Sequence, residues 1–139
     1  MREIICAVSL GASLAATSAV ANPSTLNGPI GRATAPTDAE ASELGPVFGN
    51  TVVSRYSDGG WVKHWFERDG DYTAEFSDGR RLTARWRIEG ERVCLNGIRP
   101  AFMMISRFCS AIVEARVGQS WPSRDPLGRR VQNTLVSGR

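Results

Sequence analysis

Residues 66–86 read FERDGDYTAEFSDGRRLTARW, with Asp-Gly at 69–70 and again at 78–79. Between and after these pairs the chain alternates. Tyr72, Ala74 and Phe76 interleave with Asp71, Thr73 and Glu75, and Leu82, Ala84 and Trp86 with Arg81, Thr83 and Arg85. Alternation with period two marks strands that bury one face. The turn can be chosen by testing which loop keeps like with like. A three-residue loop Ser77-Asp78-Gly79, with Gly79 in the left-handed position, sets Glu75 opposite Arg81, Thr73 opposite Thr83 and Asp71 opposite Arg85. On the other face it sets Ala74 opposite Leu82 and Tyr72 opposite Ala84. A two-residue loop would put Phe76 against Arg81 and mix the faces. The three-residue loop is the consistent choice.

The same rule works outward from this hairpin. A loop at Arg68-Asp69-Gly70 pairs Phe66 with Tyr72, His64 with Ala74, Val62 with Phe76 and Lys63 with Glu75, leaving Glu67 opposite Asp71 as the one poor match. At Glu89-Gly90 a two-residue turn is expected to place Trp86 opposite Val93 and Ala84 opposite Leu95. The stretch FGNTVVSRY supplies an earlier strand, and the register of its hairpin through SDGG stays open. Further strands are expected over residues 105–113, near 115–120 and in the tail RRVQNTLVSGR. The fold class is therefore all-β: an antiparallel meander of six to eight strands forming a curled sheet or small barrel, with one short N-terminal helix. That helix is placed at residues 37–46, where Thr37 and Glu40 match a capping box and Gly45-Pro46 stops the run.

The start of the chain, MREIICAVSLGASLAATSAVANPS, has the marks of a secretory signal peptide cleaved after Ala21. The apolar run is diluted by Ser, Gly and Thr, and no basic flank follows it, so it reads poorly as a membrane anchor. Cys6 lies inside this run and is set aside with it. The expected organisation is a signal peptide at 1–21, a flexible leader at 22–36 rich in Pro, Gly, Ser and Thr, the helix at 37–46, and a β domain at 47–139. The expected location is periplasmic or secreted, with no transmembrane segment after cleavage.

The chain has 17 Lys and Arg against 14 Asp and Glu, a net charge of +3. Losing Arg2 and Glu3 with the signal would not change that balance. A mild, mixed charge does not call for a polyanionic partner, and no nucleic acid is expected. Cys94 and Cys109 remain in a chain bound for an oxidising compartment, which points to a disulfide. The alternative, a metal or redox pair, lacks C-x-x-C spacing and companion ligands.

The motifs GNTV at 49–52, GGWVKHWFERDGDY at 59–72, DGR at 78–80, ARWRIEGERVCL at 84–95 and the later Cys109 resemble domain of unknown function 995, a family of small exported bacterial proteins. The resemblance covers about residues 47–109, with an echo in VGQSW at 117–121. Ala84 stands where the family pattern has Gly before the Trp. The resemblance implies a periplasmic β-domain and brings no particular activity with it.

Catalytic options are few. His64 is the one histidine, so any Ser-His or Cys-His device must use it. Strand alternation turns it to the apolar face between Val62 and Phe66, where a hydrogen-bonded core histidine is the plainer reading. The carboxylate pairs Asp69/Asp71 and Glu89/Glu91 sit at turns, where turn chemistry accounts for them. No metal-ligand cluster or phosphate-binding glycine loop is visible, and no cofactor is expected. On the polar face, Trp61, Lys63 and Trp65 lie two strands from Arg81, Arg85 and Arg87, a surface that could take an anionic glycan, a lipid head group or single-stranded nucleic acid. Against this, Glu75 and Asp71 lie between and would neutralise the arginines. A closed sheet could also hold a small apolar ligand among His64, Tyr72, Phe76 and Trp86, although such bulky aromatics predict a filled interior. The expectation is a non-catalytic module binding a protein or envelope component, with Trp61, Lys63, Trp65, Arg85 and Arg87 as its binding residues. A small hydrolase using His64 and a lipocalin-like carrier of an apolar ligand are the alternatives.

Overall fold

A computed structural model describes residues 34–101 and 104–139. The signal segment, and the leader as far as residue 33, lie outside the described residues. Among those described, one short helix, α1 (Asp38–Glu43), and a 3₁₀ turn at Gly45–Val47 precede eight strands. These are β1 (Thr51–Arg55), β2 (Trp61–Phe66), β3 (Asp71–Phe76), β4 (Arg81–Glu89), β5 (Arg92–Arg99), β6 (Arg107–Ala111), β7 (Ser120–Arg124) and β8 (Arg130–Val136). The protein is all-β, its strands joined antiparallel in one sheet ordered β6-β5-β4-β3-β2-β1-β8-β7 and curled into a half-barrel. Edges β6 and β7 do not pair with each other among the described residues, so a seam is left between them.

The hairpins follow from their turns. In the loop Ser77-Asp78-Gly79, Phe76 N–H donates to the Arg80 carbonyl and Gly79 N–H returns to the Phe76 carbonyl. The same pair of bonds closes the loops at 57–59, 68–70 and 126–128. In the first three, the Asp at the loop centre accepts from the amide two residues on, at 2.9–3.0 Å, which fixes the bend before the strands need to meet. The registers at β2–β3 and β3–β4 are those read from alternation, with Lys63 opposite Glu75 and Ala74 opposite Leu82. The hairpin left open sets Arg55 opposite Trp61 and Val52 opposite His64.

Two expectations need correction. At β4–β5 the turn sits one residue later than read, so Trp86 faces Leu95 and Ile88 faces Val93. The register differs by two residues, which keeps the same side chains inward, so alternation does not distinguish the two. The strand expected near 115–120 is instead β7 at 120–124, with Pro122 inside it. Proline removes a ladder donor, and β7 tolerates it because it is an edge strand.

The core lies on the concave side. Val62, Tyr72, Ala74, Leu82, Ala84 and Trp86 pack with Ala41 and Leu44 of the helical segment, and Phe48 and Phe66 lie against them. Trp86 is fully buried, with its Nε1 donating to the Glu67 carbonyl at 2.7 Å. Phe48 and Phe66 flank it at 5.8 and 6.5 Å between ring centroids. The capping box forms as the sequence implied, with Glu40 accepting from Thr37 N–H at 2.7 Å. Glu40 also accepts from the Arg87 guanidinium and the Ile88 amide, tying α1 across the Trp86 end of the sheet. A second cluster joins Val52, Leu135 and Ala115, the last from the connection between β6 and β7.

Candidate functional site

The aromatics fill only one end of the half-barrel. Beside them the concave face encloses a cavity of about 240 Å³ whose lining includes Val52, His64, Tyr72, Phe76, Leu95 and Trp121. Trp86, expected among the lining residues, is sealed beneath the helical segment instead. The space persists because small side chains, Ser54, Ala74 and Ser110, occupy inward positions on β1, β3 and β6. Residues of both edge strands line it, Phe108 and Ser110 on one side and Trp121 and Ser123 on the other, so the cavity reaches the seam.

Four polar side chains cross its wall in a line. Tyr72 Oη lies 2.6 Å from His64 Nδ1, His64 Nε2 lies 2.8 Å from Ser54 Oγ, and Ser54 Oγ lies 2.7 Å from Asn133 Oδ1. One direction of donation satisfies the whole chain. Tyr72 donates to Nδ1, the Nε2–H of a neutral imidazole donates to Ser54, and the Ser54 hydroxyl donates to the Asn133 carbonyl. Reversing every bond would leave the buried Tyr72 proton without an acceptor among the described residues. Loss of hydration holds His64 down at about 4, from an ordinary 6.5, so the ring is neutral near pH 7 even though it is only half-buried and keeps contact with the cavity. Burial, with the nearby Tyr56 adding to it, pushes the Tyr72 phenol up. This stretch of the wall is uncharged.

The far end of the cavity is built differently. Asp125 accepts from the amides of Leu127 and Arg129, at 2.9 and 2.8 Å, and pairs with the Arg129 guanidinium at 2.8 Å. Tyr56 Oη donates to the same carboxylate at 3.2 Å. Burial alone would raise Asp125, but the Arg129 amide and guanidinium outweigh it and hold the carboxyl down. Burial and the adjacent carboxylate push Tyr56 up. This ion pair locks the β7–β8 turn and brings no net charge to the cavity.

The outer-face residues named from sequence do not form one cluster. Lys63 Nζ lies 4.8 Å above the Trp61 ring. Trp65 donates to Thr51 Oγ1 at 2.9 Å, and Arg139 lies 5.8 Å over its ring. Arg85 pairs with Asp71 and donates to the Asp69 carbonyl at 2.6 Å, while Arg87 meets Glu40 at 3.2 Å and the Thr34 carbonyl at 3.0 Å. Both arginines therefore have carboxylate partners, and β3 separates them from the tryptophans. Glu67, the mismatched neighbour of Asp71, finds Arg139 instead. Cys94 and Cys109 face each other across β5 and β6 and are disulfide-bonded. Among the described residues no group of three or more His, Cys, Asp or Glu side chains is placed to hold a metal, and no helix is long and apolar enough to cross a membrane.

Sequence reading found His64 and Tyr72 but missed Ser54 and Asn133. Their signal was present: each is a polar residue at an inward position, Ser54 two residues after Val52 and Asn133 between Val131 and Leu135. No protein-family model, curated protein or solved structure matches this chain.

Proposed function

We propose that this chain is an exported, non-catalytic binding domain that holds a small apolar molecule in the concavity of its half-barrel. The observation that carries this reading is the unfilled cavity of about 240 Å³ beside a well-packed aromatic core. Interiors normally pack to crystal-like density, so a retained space of this kind is a default binding-site candidate. Its size lies between the roughly 150 Å³ of a cavity that takes benzene and the roughly 300 Å³ at which drug-sized pockets begin. A single ring or a short acyl chain fits that interval. The disulfide and the signal-like first 21 residues support an extracytoplasmic setting, as does the resemblance to domain of unknown function 995. The outer face, with its arginines already paired, supports a binding role less well.

The Ser54–His64 contact favours the hydrolase alternative at first sight. A nucleophilic serine must give its proton to the imidazole, however, and here Ser54 donates away from it, to Asn133. Among the described residues no carboxylate orients the ring, whose partners are Tyr72 and Ser54, and a histidine held near 4 is a weak base at neutral pH.

The test is a titration with propylbenzene followed by NMR. Amide shifts confined to the strands around Val52, His64 and Asn133 are expected. The variant Ser110→Phe, which fills the space from edge strand β6, is expected to remove them while keeping the fold. Shifts on the Trp61 and Trp65 face instead, or none at all, would overturn the assignment.

A further inference from the structure

The polar line across the cavity wall ends in an unused donor. Asn133 Oδ1 is occupied by Ser54, while its Nδ2 has no partner among the described residues. No buried side-chain nitrogen or oxygen there is left unpaired, so this amide nitrogen is reached by solvent. Asn133 is half-buried and lines the cavity, which puts the free N–H groups on the cavity side. Three successive hydrogen bonds run toward the Asn133 carbonyl, and each polarises the next, making the amide N–H groups better donors.

We propose that Asn133 Nδ2 selects a small apolar ligand with one uncharged acceptor oxygen, a ketone, ester or amide carbonyl. This rests on the binding role proposed above and specifies its ligand class. The donor end of an amide rejects a ligand that presents only donors. Anions gain nothing from His64, which stays neutral, or from Arg129, which is engaged by Asp125. Arg124, which also lines the cavity, donates to the Gly128 carbonyl and has no carboxylate partner among the described residues, and the benzoate probe decides whether it draws an anion. A hydrocarbon of the same shape leaves the amide unsatisfied once water is displaced, so it should still enter the cavity but bind about tenfold more weakly than the ketone. Ser54 and His64 are positioning residues in this scheme. They hold the Asn133 amide with its oxygen inward and its nitrogen toward the ligand.

Three probes of nearly equal shape separate the possibilities: acetophenone, its hydrocarbon isostere α-methylstyrene, and benzoate. With wild-type protein, acetophenone should move the Asn133 side-chain NH₂ proton resonances downfield, and α-methylstyrene should not. In Asn133→Leu, acetophenone affinity should fall about tenfold or more relative to α-methylstyrene, the loss of one good hydrogen bond. Ser54→Ala, which frees the amide to rotate, should shift the same ratio less. If α-methylstyrene binds and neither the NH₂ resonances nor the affinity ratio responds to the ketone, the inference fails while the cavity reading stands. If benzoate binds more tightly than acetophenone, the uncharged-acceptor assignment fails. If none of the three binds, the cavity reading itself fails. The NH₂ resonances of the wild-type chain decide the matter even if Asn133→Leu does not fold.

Discussion

His64 shows how burial sets the state of a single residue. The folded ring titrates near 4 and the unfolded ring near 6.5. Between those values the unfolded chain binds a proton that the folded chain does not, so stability falls as pH drops from about 6.5 to about 4. Above this window the contribution is fully present, and below it no more is lost. The His64 contribution to that slope should be up to about 3 kcal/mol, less whatever the cavity water screens. His64→Gln should flatten the urea-measured profile over that window and keep the fold, because Gln retains one donor and one acceptor. His64→Leu should cost about 1–3 kcal/mol more, since the Tyr72 donor is left unsatisfied. An unchanged profile in the Gln variant would show that other groups supply the slope. Backbone requirements are as local. Gly70 and Gly79 both have positive φ, +92° and +85°, but a Cβ at Gly70 would meet Pro36 Cδ at 2.6 Å, while at Gly79 it meets open space. Gly79→Ala should therefore cost only the left-handed strain of about 1–2 kcal/mol, and Gly70→Ala distinctly more, in parallel thermal melts.

At the scale of elements, two of the hairpins, β2–β3 and β3–β4, were legible because each turn carries its own chemistry. Asp then Gly at fixed positions sets the loop, and alternation then has one register that keeps charges opposite charges. The β4–β5 hairpin was misread because two registers a pair apart bury identical side chains, and only the left-handed Gly90, at φ +61°, places the turn. Edge strand β7 was missed because Pro122 breaks the signal that would announce a strand. The helix was legible from its cap, but not that Glu40 does a second task on β4. Its carboxylate, held near 2 chiefly by the Thr37 amide and further by Arg87 and Ile88, serves cap and sheet together. Glu40→Ala should thus lose more than Thr37→Ala, for which a cap loss of about 1 kcal/mol is ordinary. Equal urea midpoints for the two variants would mean the contacts to Arg87 and Ile88 contribute nothing.

For the molecule as a whole, the curl of the sheet creates what no single strand encodes. Ser54 and Asn133 meet because β1 pairs with β8, a closure between distant parts of the chain that local periodicity does not reach. The cavity likewise depends on where the two free edges stand, and edge β6 is held to the sheet from one side only, by β5. The bond between Cys94 and Cys109 links those two strands at opposed positions. Neither cysteine lines the cavity, whereas Phe108 and Ser110 of the same strand do. Replacing both cysteines by Ala should cost about 2–5 kcal/mol, as loss of a native disulfide does in small secreted domains. The loss should also be uneven. Amides of Arg107–Ala111 should exchange faster with deuterium than those of β2 and β3, because fraying begins at an edge with few partners. A seam loosened in this way should weaken propylbenzene binding without any change to the cavity's far wall. If exchange in β6 stays as slow as in the wild type, the hydrogen-bonded ladder with β5 holds that edge without the disulfide, and the bond stabilises the fold only through the unfolded chain.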